Sequence, residues 1–373
     1  MEITFIMEIL NFLLFEIAIL VLLKLKIIPN WIAFYFVISG LFPFFFNDFL
    51  FPASYMPDQF KYLRSIQSIR SLDFEMNTSF TIFSASLLMS LFPLPFIESI
   101  ISVAFINKFI FLILFVFLYK KQYLEKEILY FFLLYPDLTL YSSLALRDTL
   151  ILTFMLVGVI YMINRRYLIS LLLFTPLIFL KFQNFVLMLF LLLLYKLFMK
   201  SKFTYSKNVY TYFSILAVFL IIIMLIVTPY ILEFLNHYRR AMFLEDGGDI
   251  ENYIPLLTVK DFVYLSFKSA FYFLLKPFIF EASGGLQLIQ SVINMVVFIF
   301  MIRLTKKSYK INKFKTLFWM TFLFISFTIY GLVVANFGTA ARYRFPFIAL
   351  YILGLSVDIK KLQSFNSKGN KNG

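Results

Sequence analysis

Charge-free, largely apolar stretches recur along this chain, residues 209–232 and 317–335 among them. A bilayer core of ~30 Å takes ~20 apolar residues per helix, so each of these stretches is long enough to span it. The whole chain points the same way. Of 373 residues, 62% are hydrophobic and 14% charged, and the mean hydropathy is +0.88. That leaves too little polar surface to coat a water-soluble globule of this size. Backbone groups in lipid must be satisfied within the spanning segment or around a closed barrel. No alternating strand pattern runs through the apolar blocks, so an all-α, polytopic membrane protein is expected.

The net charge of +14 is unevenly placed. Basic residues gather at Lys24 and Lys26, at Lys120, Lys121 and Lys126, at Arg165 and Arg166, across 196–207 and 303–315, and from Lys360 onward. Short basic connections stay in the cytoplasm, so the basicity is a topology signal and no nucleic-acid partner is expected. Placing these loops inside gives spans at 3–23, 31–51, 97–119, 128–146, 148–163, 167–181, 183–199, 209–232, 286–303, 316–335 and 344–359. That is about eleven transmembrane helices, with the N-terminus outside and the C-terminus inside. Counting 79–95 or 262–280 as a span would put a basic cluster on the wrong side. Pro93 and Pro95 interrupt the first, and Lys260, Lys268 and Lys276 recur through the second, so both are expected as re-entrant or interfacial helices on the outer face. The organisation expected is one integral membrane domain over 1–359, with outer loops 52–78 and 233–285, and a polar cytoplasmic tail over 360–373. The start, with Glu2, Glu8 and Glu16, lacks the cationic region and small-residue cleavage site of a signal peptide and reads as a retained first span.

Several chemistries are set aside by residue type. There is no cysteine and a single histidine, His237, which removes thiolate chemistry and argues against a histidine-rich metal site or a Ser-His-Asp triad. The acidic run 245–249 lacks the ligand spacing of a calcium loop. No metal or cofactor is expected.

Under this topology the unusual polar residues sort to the outer face. They are Asp58, Lys61 and Arg64; Asp137, Arg147 and Asp148; Lys181, Gln183 and Asn184; Arg239 and Arg240; Lys276 and Glu281; and Arg342 and Arg344. Several fall where two short apolar halves meet, as at Lys181. Charge at membrane depth costs a few kcal/mol per residue, so such groups face a wet cavity or each other. A basic, partly sunken outer pocket is expected, and it suits a diphosphate carried on a lipid, because arginine forks match phosphate oxygens. The competing reading is structural: Arg147 pairs with Asp148 or Asp137, and the loop arginines meet lipid headgroups.

Three islands carry a family resemblance. Tyr135-Pro136-Asp137 through Tyr141-Ser142-Ser143-Leu144-Ala145-Leu146-Arg147-Asp148 resembles the Ser-rich Arg-Asp element that opens a span in many bacterial polysaccharide-assembly membrane proteins. Leu275-Lys276-Pro277-Phe278-Ile279-Phe280-Glu281 is similar to their Pro-Phe segment closed by an acid, and Asn336-Phe337-Gly338-Thr339-Ala340-Ala341-Arg342-Tyr343-Arg344-Phe345-Pro346 to their carboxy-terminal Arg-Tyr-Arg ending. The chain thus resembles O-antigen and exopolysaccharide polymerases of the Wzy and EpsG kind, and more distantly the C-type membrane glycosyltransferases.

The resemblance implies an enzyme that polymerises or transfers polyprenyl-diphosphate-linked glycan units at the periplasmic face of a bacterial inner membrane. Donor and acceptor are both lipid-linked glycans, and a polysaccharide chain-length regulator is a further candidate partner. Arg147, with Arg342 and Arg344, would stabilise charge on the departing diphosphate. Asp58, in the run Tyr55-Met56-Pro57-Asp58-Gln59-Phe60-Lys61-Tyr62, is the candidate base for the acceptor hydroxyl. Its plainer role is to start a helix or pair Lys61 or Arg64. Tyr55, Arg64, Asp137, Asp148, Lys181, Gln183, Asn184, Arg239, Arg240, Lys276 and Glu281 complete the expected substrate-binding set. Three alternatives stay open at this stage: a C-type transferase using a polyprenyl-phosphate sugar, a ligase, and a lipid-linked oligosaccharide flippase. A flippase is expected to carry polar residues through the midplane and repeated halves; apart from Lys108, the polarity here is one-sided, and no repeat is evident.

Overall fold

Proline and a few polar residues decide where the helices of this protein stop. The computed structural model describes residues 2–51, 56–73, 78–199, 209–245, 251, 253–334 and 336–369, and no strand occurs among them. The first half contains α1 (Glu2–Lys24), α2 (Asn30–Ser39), α3 (Asp58–Arg70), α4 (Phe80–Ser90), α5 (Ile100–Lys120), α6 (Lys126–Leu134), α7 (Pro136–Tyr141), α8 (Asp148–Ile163), α9 (Tyr167–Phe174), α10 (Pro176–Leu180) and α11 (Phe182–Phe198). There follow α12 (Val209–Glu245), α13 (Val259–Leu275), α14 (Gly285–Ile311), α15 (Lys313–Gly331) and α16 (Phe337–Gly369). Proline occupies the first helical position of α7 and α10, where a missing N–H costs nothing.

Among the described residues, five helical segments are long and apolar enough to cross a membrane: Thr4–Lys24, Asn30–Asn47, Ile100–Lys120, Gly285–Ile311 and Lys313–Gly331. Their lengths and composition are those of a chain threaded repeatedly through a bilayer. Among the described residues, the apolar helices Phe80–Ser90, Asp148–Ile163, Tyr167–Leu180 and Phe182–Phe198 are shorter. The stretch 128–146, expected as one span, is cut at Tyr135 into α6 and α7, with turns beyond Tyr141. The stretch 167–181 is divided at Thr175 into α9 and α10. The segments expected as interfacial form α4, of 11 residues, and α13, of 17. Two helices outrun their expected limits. α12 is 37 residues long, with Pro229 inside it. α16 continues through Gly369, so residues 360–369 of the expected polar tail are helical.

The chain divides into two compact units, Met1–Leu192 and Leu193–Gly373. In the first, α5 is the central element, packed against α1, α3 and α8. Val103, Ala104, Phe105, Ile106 and Phe115 are fully buried on it, and Phe15 and Phe36 pack their rings against Phe105 and Phe115. In the second, α15 holds that place among α13, α14 and α16. Gly331 lets α15 approach α13, because a methyl group there would run into the Ser269 carbonyl. In lipid such contacts stabilise through packing, since leaving one apolar neighbour for another gains no desolvation.

Candidate functional site

In the first unit, residues 142–147 leave helical geometry between α7 and α8. Side chains take over the backbone groups this exposes. Asn107 of α5 donates to the carbonyls of Leu144 and Leu146, both at 2.6 Å. Asn47 donates to that of Ser143 at 3.1 Å, and the Thr149 hydroxyl to that of Tyr141 at 3.1 Å. The Ala145 N–H donates to Gln59 Oε1 at 2.7 Å. Irregular backbone survives at membrane depth only when served in this way. The turn delivers Arg147 and Asp148 to the start of α8, where a carboxylate is favoured by the helix dipole. Asp148 is 3% and Asp137 2% exposed, and Asp137 accepts from the Tyr135 hydroxyl at 3.0 Å. Arg147 is partly buried, and its Nη1, shielded from solvent, has no hydrogen-bond partner among the described residues. Nearby in sequence, the buried Lys108 puts its Nζ 5.3 Å from the Phe42 ring.

The remaining expected residues of this unit differ in setting. Asp58 pairs with Lys61 at 2.9 Å, the two side chains being 40% and 54% exposed. Arg64 and Gln183 are exposed, whereas Lys181 and Asn184 are buried. Lys181 is extended between α10 and α11, at the break expected there. Tyr55 and the acidic loop 246–249 lie outside the described residues. One residue that polarity sorting passed over is Arg70. Its guanidinium donates to the carbonyls of Leu94 at 2.5 Å and Phe92 at 2.6 Å, and burial draws its pKa below the ordinary value. Arg70 thus fastens α3 to the proline-broken segment after α4. The nearby Pro93 and Pro95, which leave backbone groups without helical partners, were its sequence signal.

In the second unit, the two later sequence islands meet. Arg344 is 0% exposed. Its Nη1 donates to the carbonyls of Phe273, Leu274 and Lys276 at 3.0, 2.9 and 3.1 Å, and its Nη2 to Asn294 Oδ1 at 2.6 Å. A cation at the C-terminal end of α13 meets the unsatisfied carbonyls and the negative end of the dipole. Arg344 thus joins the end of α13 and Asn294 of α14 to α16. Arg342 is half-buried and Arg240 exposed.

Beside this junction lies a cavity of about 320 Å³ whose lining includes Arg239, Lys268, Tyr272, Lys276, Phe337 and Ala340. Residues 264, 268, 272 and 276 follow one another at the four-residue spacing of a helix face. Lys268 Nζ lies 5.7 and 5.3 Å from the Tyr264 and Tyr272 rings, and Lys276 Nζ lies 4.5 Å from Tyr272. Lys276 also pairs with Glu281 at 2.9 Å. Arg239 donates through Nε to the Leu332 carbonyl at 2.8 Å and through Nη1, at 3.4 Å, to Asn236 Oδ1 and the Ile254 carbonyl. Burial lowers the Arg239 pKa, and Tyr253 beside it opposes the shift. Three cations and one partly compensating carboxylate make this a place for a polyanion. Lys268 was absent from the expected set although its spacing from the flanking tyrosines was visible. No group of three or more His, Asp or Glu residues fit to hold a metal occurs among the described residues.

No protein-family model matches the chain, and the comparisons with curated proteins and with solved structures give no match.

Proposed function

We propose that this chain is a membrane enzyme that polymerises or transfers polyprenyl-diphosphate-linked glycan units at the outer face of a bacterial inner membrane. In this reading it crosses the bilayer about eleven times, with the N-terminus outside and the C-terminus in the cytoplasm. One observation carries the proposal: the islands 275–281 and 336–346 come together around a basic cavity. Lys276, Phe337 and Ala340 line it, with Arg239 and Lys268 as further cations, and Arg344 holds the two islands together from behind.

The chemistry asked of such a site is modest. An acceptor hydroxyl attacks the anomeric carbon of the donor, the carbon–oxygen bond to the diphosphate breaks, and the lipid diphosphate leaves with the bonding electrons. The hydroxyl proton passes to solvent or to the departing phosphate. Cations around the diphosphate lower the barrier by stabilising the charge that grows on it. A single-sugar C-type transferase would ask more of a carboxylate base, and the candidate, Asp58, is an exposed partner of Lys61. That favours the polymerase form of the reading.

Deletion of the gene followed by gel analysis of surface glycan tests the proposal. Products of a single repeat unit are expected. Loss of all repeats would point to a monosaccharide transferase, and intermediates trapped facing the cytoplasm to a flippase. Complementation with Lys268→Gln is expected to restore polymer poorly, because the charge it removes faces the cavity.

A further inference from the structure

The basic cavity is one of two that meet at Arg239. The second, of about 280 Å³, shares Arg239, Gly331, Leu332 and Val334 with the first, but its other walls are Phe243, Tyr253, Ile254 and Val333. The two compartments therefore adjoin and differ in chemistry. One holds Lys268 and Lys276; the other has a pair of aromatic rings and no cation besides Arg239 among its described lining.

The aromatic wall is fixed in place. Phe243 and Tyr253 pack with ring centroids 5.9 Å apart at 51°. The Tyr253 hydroxyl donates to the Asn236 carbonyl at 2.9 Å. Asn236 in turn donates through Nδ2 to the Leu256 carbonyl and accepts from the Leu256 N–H, both at 2.8 Å. The tyrosine is thus tied to Asn236 of α12, which also holds Leu256, so little ordering remains to be done on binding. The Arg239 guanidinium carbon lies 5.7 Å from the centre of the same ring. Nε and Nη1 are engaged, and among the described residues Nη2 is the nitrogen left to meet a ligand.

We infer that the Phe243–Tyr253 compartment receives the first sugar ring of a diphosphate-linked glycan, while the diphosphate lies in the adjoining compartment with Lys268 and Lys276. A sugar ring presents polarised C–H bonds on a face and hydroxyls around its rim. The negative face of an aromatic ring attracts the former, and a mostly apolar pocket with few polar groups suits the whole. Arg239 is the cation common to both compartments and stands at the linkage between sugar and phosphate, where it acts as a positioning contact for both. This inference rests on the lipid-diphosphate reading above and extends it to the residues that tell a glycan-bearing donor from a bare one.

The test measures binding to the full-length protein in nanodiscs. The probes are farnesyl diphosphate and farnesyl diphosphates carrying glucose, galactose or N-acetylglucosamine. The native protein is expected to bind at least one glycosylated probe about tenfold more tightly than the bare one, a tenfold step being ~1.4 kcal/mol. Phe243→Ala and Tyr253→Ala are expected to erase that preference, and Phe243→Ala, whose ring does not face Arg239, to leave farnesyl diphosphate affinity unchanged. Tyr253→Phe keeps the ring and is expected to keep the preference, which separates loss of the ring from loss of folding. Lys268→Gln is expected to weaken every probe alike. If bare diphosphate binds and Lys268→Gln weakens it, but the native protein shows no sugar preference or Tyr253→Ala retains it, the inference is overturned and the functional reading stands. If the native protein binds no diphosphate probe, both fall.

Discussion

Arg344 spends its guanidinium on the backbone. Four acceptors surround it, three of them carbonyls at the end of α13. Lysine carries no planar fork and cannot reach the same set. Arg344→Lys is therefore expected to cost stability, about 1.5–3 kcal/mol for each charge-assisted bond lost. The folded fraction should bind farnesyl diphosphate as before. Thermal melting in detergent beside a binding titration checks both halves, and weakened binding at unchanged stability would put Arg344 back among the ligand contacts. Asp58 stands at the opposite extreme. Exposed ion pairs of this kind contribute ~0–1 kcal/mol, so Asp58→Asn is expected to melt normally and to support near-normal surface glycan. A general base contributes ~10²–10⁴-fold. A drop of that size in polymer formation by Asp58→Asn would return the residue to the chemistry.

In the second unit, a buried polar knot joins α15, α16 and the end of α11 that falls within that unit. Asp358 of α16 is 0% exposed. It accepts from Lys315 of α15 at 2.6 Å, Tyr195 of α11 at 2.9 Å and Trp319 of α15 at 3.2 Å. Removing one member of such a pair leaves an uncompensated buried charge, at a cost of ~3–5 kcal/mol, whereas replacing both with apolar groups is often neutral. Asp358→Ala should thus destabilise the protein strongly, and Asp358→Leu with Lys315→Met should recover most of the loss. Thermal melting of the single and double variants decides it; a double variant as weak as the single would show that the knot does more than balance its own charge. Sequence pattern reached some of these elements and missed others for physical reasons. The apolar runs behind α1, α5, α14 and α15 were plain, because charge-free length is a local property. The division of 128–146 into α6 and α7 was hidden, since the side chains that satisfy the backbone of residues 143–146 are those of Asn47, Gln59 and Asn107. Likewise Lys276 and Arg239 were legible as candidate cations, and both line the cavity. That Arg344 would face inward was not, because its partners are carbonyls some seventy residues away, and carbonyls leave no mark in a sequence.

At the scale of the molecule, the surface of α14 reports the solvent. Val292, Met295, Val296 and Ile299 are 48%, 50%, 60% and 60% exposed, while Val297, Met301 and Leu304 on the other side are buried. Farther along the same exposed side come Arg303, Lys306, Lys307 and Lys310. An apolar stripe ending in cations is what a helix meeting a hydrocarbon core and then a headgroup layer presents. Lys120 and Lys121 at the end of α5 carry the same sign, so both helix ends are expected on one side of the membrane. In the proposed topology α3 and the end of α12 are expected on the other. The chain has no cysteine of its own, which makes the arrangement directly measurable by single replacements at exposed sites. In spheroplasts, Arg64→Cys and Leu244→Cys are expected to react with a membrane-impermeant thiol reagent, and Lys121→Cys and Lys310→Cys only after the membrane is opened. Labelling of the second pair in intact spheroplasts would reverse the orientation. It would also move the Arg239–Lys268–Lys276 cavity to the cytoplasmic side, where an outer-face polymerase has no use for it.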